Sequence, residues 1–259
     1  MNFMFPIHTV RTSVFNYDEI PPGYYFKAMQ GGSAVQRFWH RTKFQAVADL
    51  IRDGERVLDM GCGPGSFLYV LGESRPHVSA VGVDIASGQI EFAKSEIQAR
   101  YPDGRISFKA LPPGNVPQLG FEPASFDTVT CIEVIEHLHP QLAMRLLQEA
   151  FKVLKPEGRL IITTPNYRSL WPIIEWALEK LSPVKYHEQH ISKFTPNAFV
   201  KFLEAAAFEL IELETIFILS PFLNAFSSNL ARGLYGVERK LPFRAGSLLV
   251  AECKKSNLL

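Results

Sequence analysis

Apolar residues along the chain follow two alternating spacings. Stretches with apolar groups at helical spacing predict helices over 64–71, 87–101 and 141–155. Short apolar runs separate them and are typical of strands buried on both faces, at 56–60, 78–84, 105–111, 126–132 and 158–164. The alternation predicts a parallel sheet covered by helices on both faces, with right-handed crossovers.

The pattern changes on either side of this core. Residues 1–33 are rich in aromatic residues, proline and glycine without a clear period, and resemble an arm or lid. A helix is predicted over 34–52, and an insertion over 166–195 contains an amphipathic helix at 171–181. The remaining predicted elements are a helix over 196–206, whose start Thr195-Pro196 marks, and strands over 208–219 and 247–253.

We therefore expect one α/β domain with a Rossmann-like, doubly wound sheet of seven strands, mostly parallel with one antiparallel strand. The last two strands are expected to close one edge of the sheet. The predicted parts are an N-terminal arm and helix (1–52), a core (53–165), an insertion after the fifth strand (166–195) and a C-terminal helix with two strands (196–259).

Composition narrows the class of protein. The 27 Lys and Arg residues balance 26 Asp and Glu residues, and this net charge of +1 argues against general nucleic-acid binding. Three widely spaced cysteines form neither a zinc pattern nor a disulfide framework, which favours a reducing compartment. The N-terminus lacks the pattern of a secretory signal and 215–231 is too polar for a bilayer span, so we expect a cytoplasmic protein.

A glycine-rich turn follows the first predicted strand. Gly61, Gly63 and Gly65 allow positive φ and close approach of a ligand, and the next helix begins with free N–H groups. Asp84 ends the second strand, where a carboxylate can accept both hydroxyls of a ribose. The G-x-G-x-G spacing differs from the dinucleotide fingerprint, and Asp59 just before it favours a ligand with cationic groups over a pyrophosphate.

At these residues the chain resembles class I S-adenosylmethionine-dependent methyltransferases. The resemblance rests on VLDMGCGPGSF (57–67), GVDIA (82–86), FDTVTCIEVIEHL (126–138) and LKPEGRLIITTPN (154–166). It implies that S-adenosylmethionine is the cofactor and S-adenosylhomocysteine the product. By this resemblance Asp59 would contact the amino group of the cofactor, Asp84 its ribose and Ile85 its adenine. Glu133 and Val134 would form part of the pocket wall. The methionine part would lie against the residues of the turn, namely Gly61, Cys62, Gly63, Gly65 and Phe67. Gly114-Asn115-Val116 stands where the family usually has Gly-Asp-Ala, so Asn115 and Val116 are expected at the adenine.

Glu133, Glu136 and His137 follow the fourth strand and would share one face if that segment were helical. The E-x-x-E-H run is similar to that of quinone-biosynthesis O-methyltransferases and of small-RNA 2′-O-methyltransferases. By that resemblance these three residues, with His190, form a site for magnesium or a related divalent ion. The alternative is that Glu133 lines the cofactor pocket while Glu136 and His137 orient their neighbours.

His190, His187 and His137 are candidates for a general base, because a neutral imidazole can take the proton of an acceptor hydroxyl. We favour His190. Methyl transfer can also proceed without a strong base, since alignment of acceptor, methyl carbon and sulfur supplies much of the rate.

The acceptor is the least determined part of the prediction. Residues 215–244 are apolar and then basic, which fits either peripheral contact with the inner face of the membrane or a partly buried helix with a solvated edge. We expect methyl transfer to an oxygen of a small or lipidic acceptor, such as a quinone, polyprenyl or glycolipid. Two alternatives remain, namely a non-catalytic cofactor-binding or membrane-adaptor module and an NAD-dependent oxidoreductase, which the glycine spacing disfavours.

Overall fold

The computed structural model describes residues 20–112, 118–181, 189–241 and 244–256, with side chains of the helix that ends at 181 described as far as Trp176. Seven strands form one sheet in the order β3-β2-β1-β4-β5-β7-β6. The strands are β1 Arg56–Met60, β2 Ser79–Asp84, β3 Ile106–Ala110, β4 Phe126–Ile132, β5 Leu154–Pro165, β6 Phe208–Ile216 and β7 Leu248–Lys255. Strand β7 is antiparallel to both of its neighbours, and β1 to β5 are parallel. The predicted sheet, including its closing edge, is confirmed.

Helices cover both faces of this sheet. They are α1 Tyr24–Gly31, α2 Ala34–Leu50, α3 Ser66–Ser74, α4 Ser87–Glu96, α5 Pro140–Val153, α6 Trp171–Leu181, α7 Pro196–Ala205, α8 Ser220–Leu223 and α9 Ser228–Glu238. Local sequence sets several of their starts. Ser33 and Gln36 form a reciprocal capping box at the start of α2, and the Thr195 hydroxyl accepts from the Ala198 N–H at the start of α7.

Three boundaries differ from the prediction. The arm contains helix α1, which its mixed composition concealed. Strand β5 begins at Leu154 rather than at Gly158, because the chain pairs with β4 before the turn at Glu157, whose φ is 61°. Strand β6 ends at Ile216 because Phe217 has a φ of 67°, which breaks the extended backbone.

Two hydrophobic clusters pack against opposite faces of the sheet. Leu160 and Ile162 of β5 face the cluster that includes α5 and α7, whereas Ile161 between them faces the cluster that includes α2, α3 and α4. This alternation is the period of two expected of a strand buried on both faces. No helix among the described residues is both long enough and apolar enough to cross a membrane.

The chain direction places a crevice at one end of the sheet. Strands β1 and β4 are neighbours, and the strand order reverses between them, with β2 and β3 on one side and β5 on the other. Ligands of open α/β sheets bind at such a switch point, outside the carboxyl ends of the strands. The glycine-rich turn after β1 and the E-x-x-E-H run after β4 both lie at this edge.

Candidate functional site

A cavity of about 780 Å³ opens at the carboxyl edge of the sheet. Its polar wall comes from the turns after β1, β2 and β4, and its apolar wall includes aromatic residues of α1, α2 and α6. This volume lies within the usual range for small-molecule sites in proteins. A partly open cavity therefore lies at the predicted switch point.

The glycine-rich turn is fastened to the neighbouring strand by its backbone. The N–H groups of Gly61 and Cys62 both donate to the carbonyl of Val83, at 2.8 and 3.0 Å. Gly61 has a φ of 70°, and a Cβ there would lie 2.5 Å from the side chain of Val134. A side chain at this position would therefore be strained by its backbone and obstructed by its neighbour.

The structure divides the turn residues into two groups. Gly61, Cys62, Gly63 and Phe67 line the cavity, as predicted for contacts to a cofactor. Gly65 is not among the lining residues. A Cβ there would lie 2.7 Å from Phe108 and 2.9 Å from Ile97, so its absence lets α3 approach β3 and α4.

Asp84 is held in place by the backbone around it. One carboxylate oxygen accepts from the Gly63 N–H at 2.8 Å and the other accepts from the Ala86 N–H at 2.8 Å. Burial raises the pKa of Asp84, although these two bonds act against the shift. Each oxygen retains a further lone pair for a ligand hydroxyl, and Ile85 beside it forms part of the cavity wall.

Asp59 lies at the end of β1 beneath the turn. Its carboxylate accepts a hydrogen bond from the Thr130 hydroxyl at 2.7 Å and is only 2% exposed. Burial raises its pKa to about 7. A cationic ligand group beside it would therefore shift Asp59 toward its ionised form.

Glu133 does not share a helical face with Glu136 and His137. It has a φ of 52° and precedes a short 3-10 turn at Ile135–His137, so the condition for a face shared by all three residues, one continuous helix, is not met. Its carboxylate instead forms an ion pair with Lys43 of α2. Burial acts to raise the pKa of Glu133, but Lys43 outweighs it and holds that pKa below its usual value. Its neighbour Val134 lines the cavity as predicted.

Lys43 is a site residue that sequence reasoning missed. Gln36, His40 and Lys43 recur at i, i+4 and i+7 of α2, and all three line the cavity. Burial lowers the pKa of His40 to about 3, so its ring is neutral at physiological pH. This polar stripe on a largely apolar helix was the available signal.

Glu136, His137 and His190 form a compact group. Each offers one ligand atom, and these atoms all lie within 4.8 Å of one another. Glu133, the fourth predicted metal ligand, is not part of the group. Burial raises the pKa of Glu136 well above its usual value, and burial followed by the effect of His190 lowers that of His137 to about 4.

His190 is oriented by a carboxylate that the sequence did not reveal. Glu175 of α6 lies 2.5 Å from His190 Nδ1, and the Tyr167 hydroxyl donates to the same Glu175 oxygen at 2.8 Å. Both members of the His190–Glu175 pair are about 5% exposed or less in their side chains. A carboxylate at Nδ1 favours the tautomer with the proton on that nitrogen.

Unsatisfied polar atoms are concentrated at the cavity. Of the seven buried side-chain polar atoms that lack a hydrogen-bond partner in the described part of the chain, five belong to residues that line it. Because unpaired buried polar atoms are rare in native proteins, this concentration indicates a polar ligand. The five are His40 Nδ1, Ser66 Oγ, Glu136 Oε1, Trp171 Nε1 and Gln189 Nε2.

Three predicted site residues lie outside the described residues. They are Asn115 and Val116, expected at the adenine, and His187, a candidate base. Their predicted roles stay predictions.

One known protein family matches most of the chain. The model of a methyltransferase domain family matches residues 32–213, which cover α2 to β6. The matched span includes the glycine-rich turn, Asp84 and the Glu136–His137–His190 group.

Curated relatives carry methyltransferase names. A probable S-adenosylmethionine-dependent methyltransferase of Mycolicibacterium smegmatis is 29% identical over 189 residues, covering 72% of this chain and 65% of that protein. A ubiquinone biosynthesis O-methyltransferase of Idiomarina loihiensis is 30% identical over 172 residues, covering 65% and 67% of the two chains. A ubiquinone/menaquinone biosynthesis C-methyltransferase of Geotalea daltonii is 25% identical over 193 residues, covering 72% and 79%. The aligned region thus spans about two thirds of the first of these relatives.

Solved structures share the fold. A Thermotoga maritima protein described as a possible histamine N-methyltransferase superposes with a TM-score of 0.64 at 20% identity, covering 90% of this chain and 94% of that one. A geranyl diphosphate methyltransferase in complex with S-adenosylmethionine gives a TM-score of 0.59 at 14% identity, covering 90% of each chain. With the glycine-rich turn, the aspartate held at the end of β2 and the family match in place, the chain belongs to the class I S-adenosylmethionine-dependent methyltransferases.

Proposed function

We propose that this enzyme transfers the methyl group of S-adenosylmethionine to a hydroxyl oxygen of a largely apolar acceptor, such as a quinone-like ring, a polyprenyl compound or a glycolipid. The observation that carries the proposal is Gln189 Nε2, a buried donor without a partner among the described residues, beside the His190 group in an otherwise aromatic and aliphatic wall. Such a donor calls for an acceptor oxygen in this part of the cavity.

The cofactor fits the opposite, polar wall. Its ribose hydroxyls would donate to Asp84, and its amino acid part carries one ammonium and one carboxylate. Asp59 and the ion pair of Lys43 with Glu133 offer charges of both signs to such a zwitterion. Bound there, the cofactor supplies a methyl carbon that its positively charged sulfur activates.

His190 would take the proton of the acceptor hydroxyl. The contact of Glu175 with Nδ1 leaves Nε2 as the nitrogen that acts as base. The Glu175 carboxylate would then stabilise the imidazolium that forms. His137 is a weaker candidate for this role, because its pKa of about 4 makes it a poor proton acceptor.

The names of relatives support the acceptor class. Ubiquinone biosynthesis O-methyltransferases and ubiquinone/menaquinone C-methyltransferases are among the proteins this chain resembles at 25–30% identity. Quinone precursors combine a polar ring bearing oxygens with a long apolar tail. That combination suits a cavity with an unpartnered donor at one place and aromatic walls elsewhere.

A divalent cation held by the same residues is the alternative to a base at His190, because the Nε2 lone pair cannot bind a cation and accept a proton at once. Glu136, His137 and His190 would hold it, and one carboxylate with two imidazoles suits a borderline cation better than magnesium alone. The unpartnered Oε1 of Glu136 is the feature that favours a ligand there. The cation would orient acceptor oxygens, and the buried Glu136 would lose its proton on binding.

A labelled-methyl assay tests the acceptor class. Purified enzyme is incubated with methyl-labelled S-adenosylmethionine and separated lipid, small-molecule and RNA fractions of a cell extract. We expect label in the lipid or quinone-like fraction, and magnetic resonance of the product should place the methyl on oxygen. Asp84→Ala should remove transfer in every fraction by lowering cofactor affinity. Label on carbon, or in RNA alone, contradicts the proposal.

The same assay tests the divalent cation independently of the acceptor class. If the cation rather than a base at His190 is used, excess chelator lowers activity at least tenfold, and Glu136→Ala weakens calorimetric binding of the cation while cofactor affinity stays within about twofold. Full activity in chelator removes the cation and leaves the acceptor proposal intact. Tight cofactor binding with no transfer to any fraction would favour the non-catalytic alternative.

A further inference from the structure

Exposed large apolar side chains are concentrated in two segments that flank the cavity. Among the described residues ten such side chains occur, and all but two, Ile85 and Ile211, belong to these segments. Phe226 is 88% exposed and Trp176 is 58% exposed. We call these eight residues the apolar rim, namely Leu170, Ile173, Trp176, Leu219, Phe222, Phe226, Leu230 and Val237. Large exposed apolar groups gathered in this way mark an interaction surface.

The apolar rim is continuous with the cavity. Trp171 and Ile174 of α6 line one part of the cavity wall, and Phe222 of α8 lines another. Trp39 connects the two sides, because its ring lies 5.7 Å from that of Trp171 and 4.4 Å from that of Phe217. A partner on the rim would therefore lie at the opening through which an acceptor reaches the site.

The exposed charges that the structure describes in the rim segments have one sign. Residues 166–176 and 217–241 contain two acidic side chains, Glu175 and Glu238, and both are at most 5% exposed. Glu238 is occupied inside the fold by the N–H groups of Leu219 and Ser220. The charged residues described as exposed in the two segments, together with Arg244 three residues beyond the second, are basic, namely Arg168, Arg232, Lys240 and Arg244.

An apolar surface whose described exposed charges are positive complements an anionic bilayer. Apolar side chains can enter the boundary between headgroups and acyl chains while Arg and Lys contact anionic headgroups. A second copy of this chain is a poorer occupant, since pairing two rims would bring like charges together. The short amphipathic helix α9 also suits a position in the plane of an interface, with Leu230 and Val237 on one side.

We propose that the apolar rim docks on the surface of an anionic lipid bilayer and that the acceptor is a membrane lipid that enters the cavity between α6 and α8. The inference rests on the proposed function for the identity of the site and extends it to the place from which the acceptor comes. The acceptor's apolar tail would extend toward the bilayer while its oxygens reach the donor near His190.

Vesicle flotation tests the docking surface. The full chain is mixed with vesicles of phosphatidylcholine alone or of phosphatidylcholine with phosphatidylglycerol. We expect flotation with the anionic vesicles, and a loss of about tenfold or more in partitioning for Phe226→Ser with Leu230→Ser. Arg232→Gln with Lys240→Gln should weaken binding to anionic vesicles by roughly fivefold per charge and reduce its salt dependence.

Ile211→Ser is the matched control. Ile211 is 51% exposed on strand β6 and is not a cavity-lining residue, so its substitution should leave flotation unchanged. All variants change exposed residues outside the cofactor site and should retain cofactor affinity by calorimetry. Wild-type chain that ignores anionic vesicles, or flotation equally weakened by Ile211→Ser, overturns the inference.

Two further readouts keep the proposals separate. Self-association in sedimentation that Phe226→Ser and Leu230→Ser abolish would overturn membrane docking in favour of a second copy. A chain that floats with anionic vesicles but transfers no methyl group to any lipid fraction would contradict the proposed acceptor and support the docking surface alone.

Discussion

The carboxyl group of Asp59 gains or loses its proton in the pH range where the enzyme must bind its cofactor. Burial at the end of β1 raises its pKa to about 7, and the hydrogen bond from Thr130 only partly offsets that effect. Because the unfolded chain ionises this group near pH 4, the folded state holds the extra proton between about pH 4 and pH 7. The contribution of Asp59 to stability therefore falls as the pH rises through that window.

Cofactor affinity should rise with pH between about 5.5 and 7. The ammonium group of the cofactor favours ionised Asp59, so binding releases a proton that the free enzyme holds, while the ammonium itself stays protonated below about pH 7.7. Calorimetry in buffers of different ionisation enthalpy measures both the affinity and the proton release. Asp59→Asn should bind more weakly and with a smaller pH dependence, the remainder arising from Asp84. Wild-type affinity that falls with pH would contradict this role.

Glu175 is expected to act as a positioning residue through His190. Glu175→Gln should lower kcat roughly 10- to 100-fold with little change in the KM for the acceptor, because the amide no longer stabilises the charged imidazole. Tyr167→Phe removes the other hydrogen bond to this carboxylate and should have a smaller effect. Steady-state kinetics measures the split. Unchanged kcat in Glu175→Gln would show that alignment suffices without a base.

Strands contribute to the site through the residues at their carboxyl ends, and helix α2 contributes through one of its faces. Strands β1, β2 and β4 deliver Asp59, Asp84 and Glu133 at one edge, and the turn after β1 is fixed by its bonds to Val83. Helix α2 closes the cavity with a polar stripe, and Lys43 from that stripe holds Glu133. The position of α3 depends on Gly65, behind the turn.

Gly65→Ala should lower the stability of the fold by disturbing the packing of helix α3, rather than act directly on methyl transfer. Its φ of 77° is unfavourable for alanine, and the added Cβ would meet Phe108 and Ile97 at less than 3.0 Å. We expect a loss of about 2–4 kcal/mol in the free energy of unfolding, measured by denaturant titration. Gly54→Ala is the control, since its φ of 80° gives similar backbone strain with no neighbour within 4 Å. Equal losses in the two variants would show that packing of α3 is not what Gly65 provides.

At the whole-molecule scale, an ion-pair network around Arg159 connects several elements at the edge of the sheet opposite the site. Arg159 of β5 is 5% exposed and pairs with Glu55, which precedes β1, and with Glu252 of β7. It also donates to the carbonyl of Leu50 at the end of α2. One guanidinium thus joins the start of β1 and strand β7 on either side of β5 to the helix that covers the cavity.

Arg159→Met should destabilise the fold by about 2–4 kcal/mol, because it removes the cationic partner of two largely buried carboxylates, of which Glu55 keeps only the Thr128 hydroxyl and the Arg52 N–H. Thermal unfolding measures the effect, and cofactor affinity in the folded protein should change little. Arg239→Met is the comparison, since its pair with Glu214 is about a third exposed and should contribute about 1 kcal/mol or less. A similar small loss in both variants would contradict a structural role for the Arg159 network.

Local patterns in the sequence determined the fold and the part of the site formed by the glycine-rich turn and Asp84. Buried parallel strands require continuous apolar runs, and a tight turn against a cofactor requires glycine, so the order of elements, the turn and Asp84 could be predicted from neighbouring residues alone. Whether the residues after β4 share a helical face could not be predicted, because Glu133 adopts a positive φ and pairs with Lys43, ninety residues earlier in the chain.

Only the tertiary structure decided which distant side chains meet. Lys43 with Glu133, Glu175 with His190, and the two rim segments at one opening are contacts between residues far apart in sequence or on separate elements. Periodicity reports which face of an element is buried, because burial follows from the residues of that element. It does not report which polar group on another element satisfies a buried charge, since that depends on how helices are placed across the completed sheet.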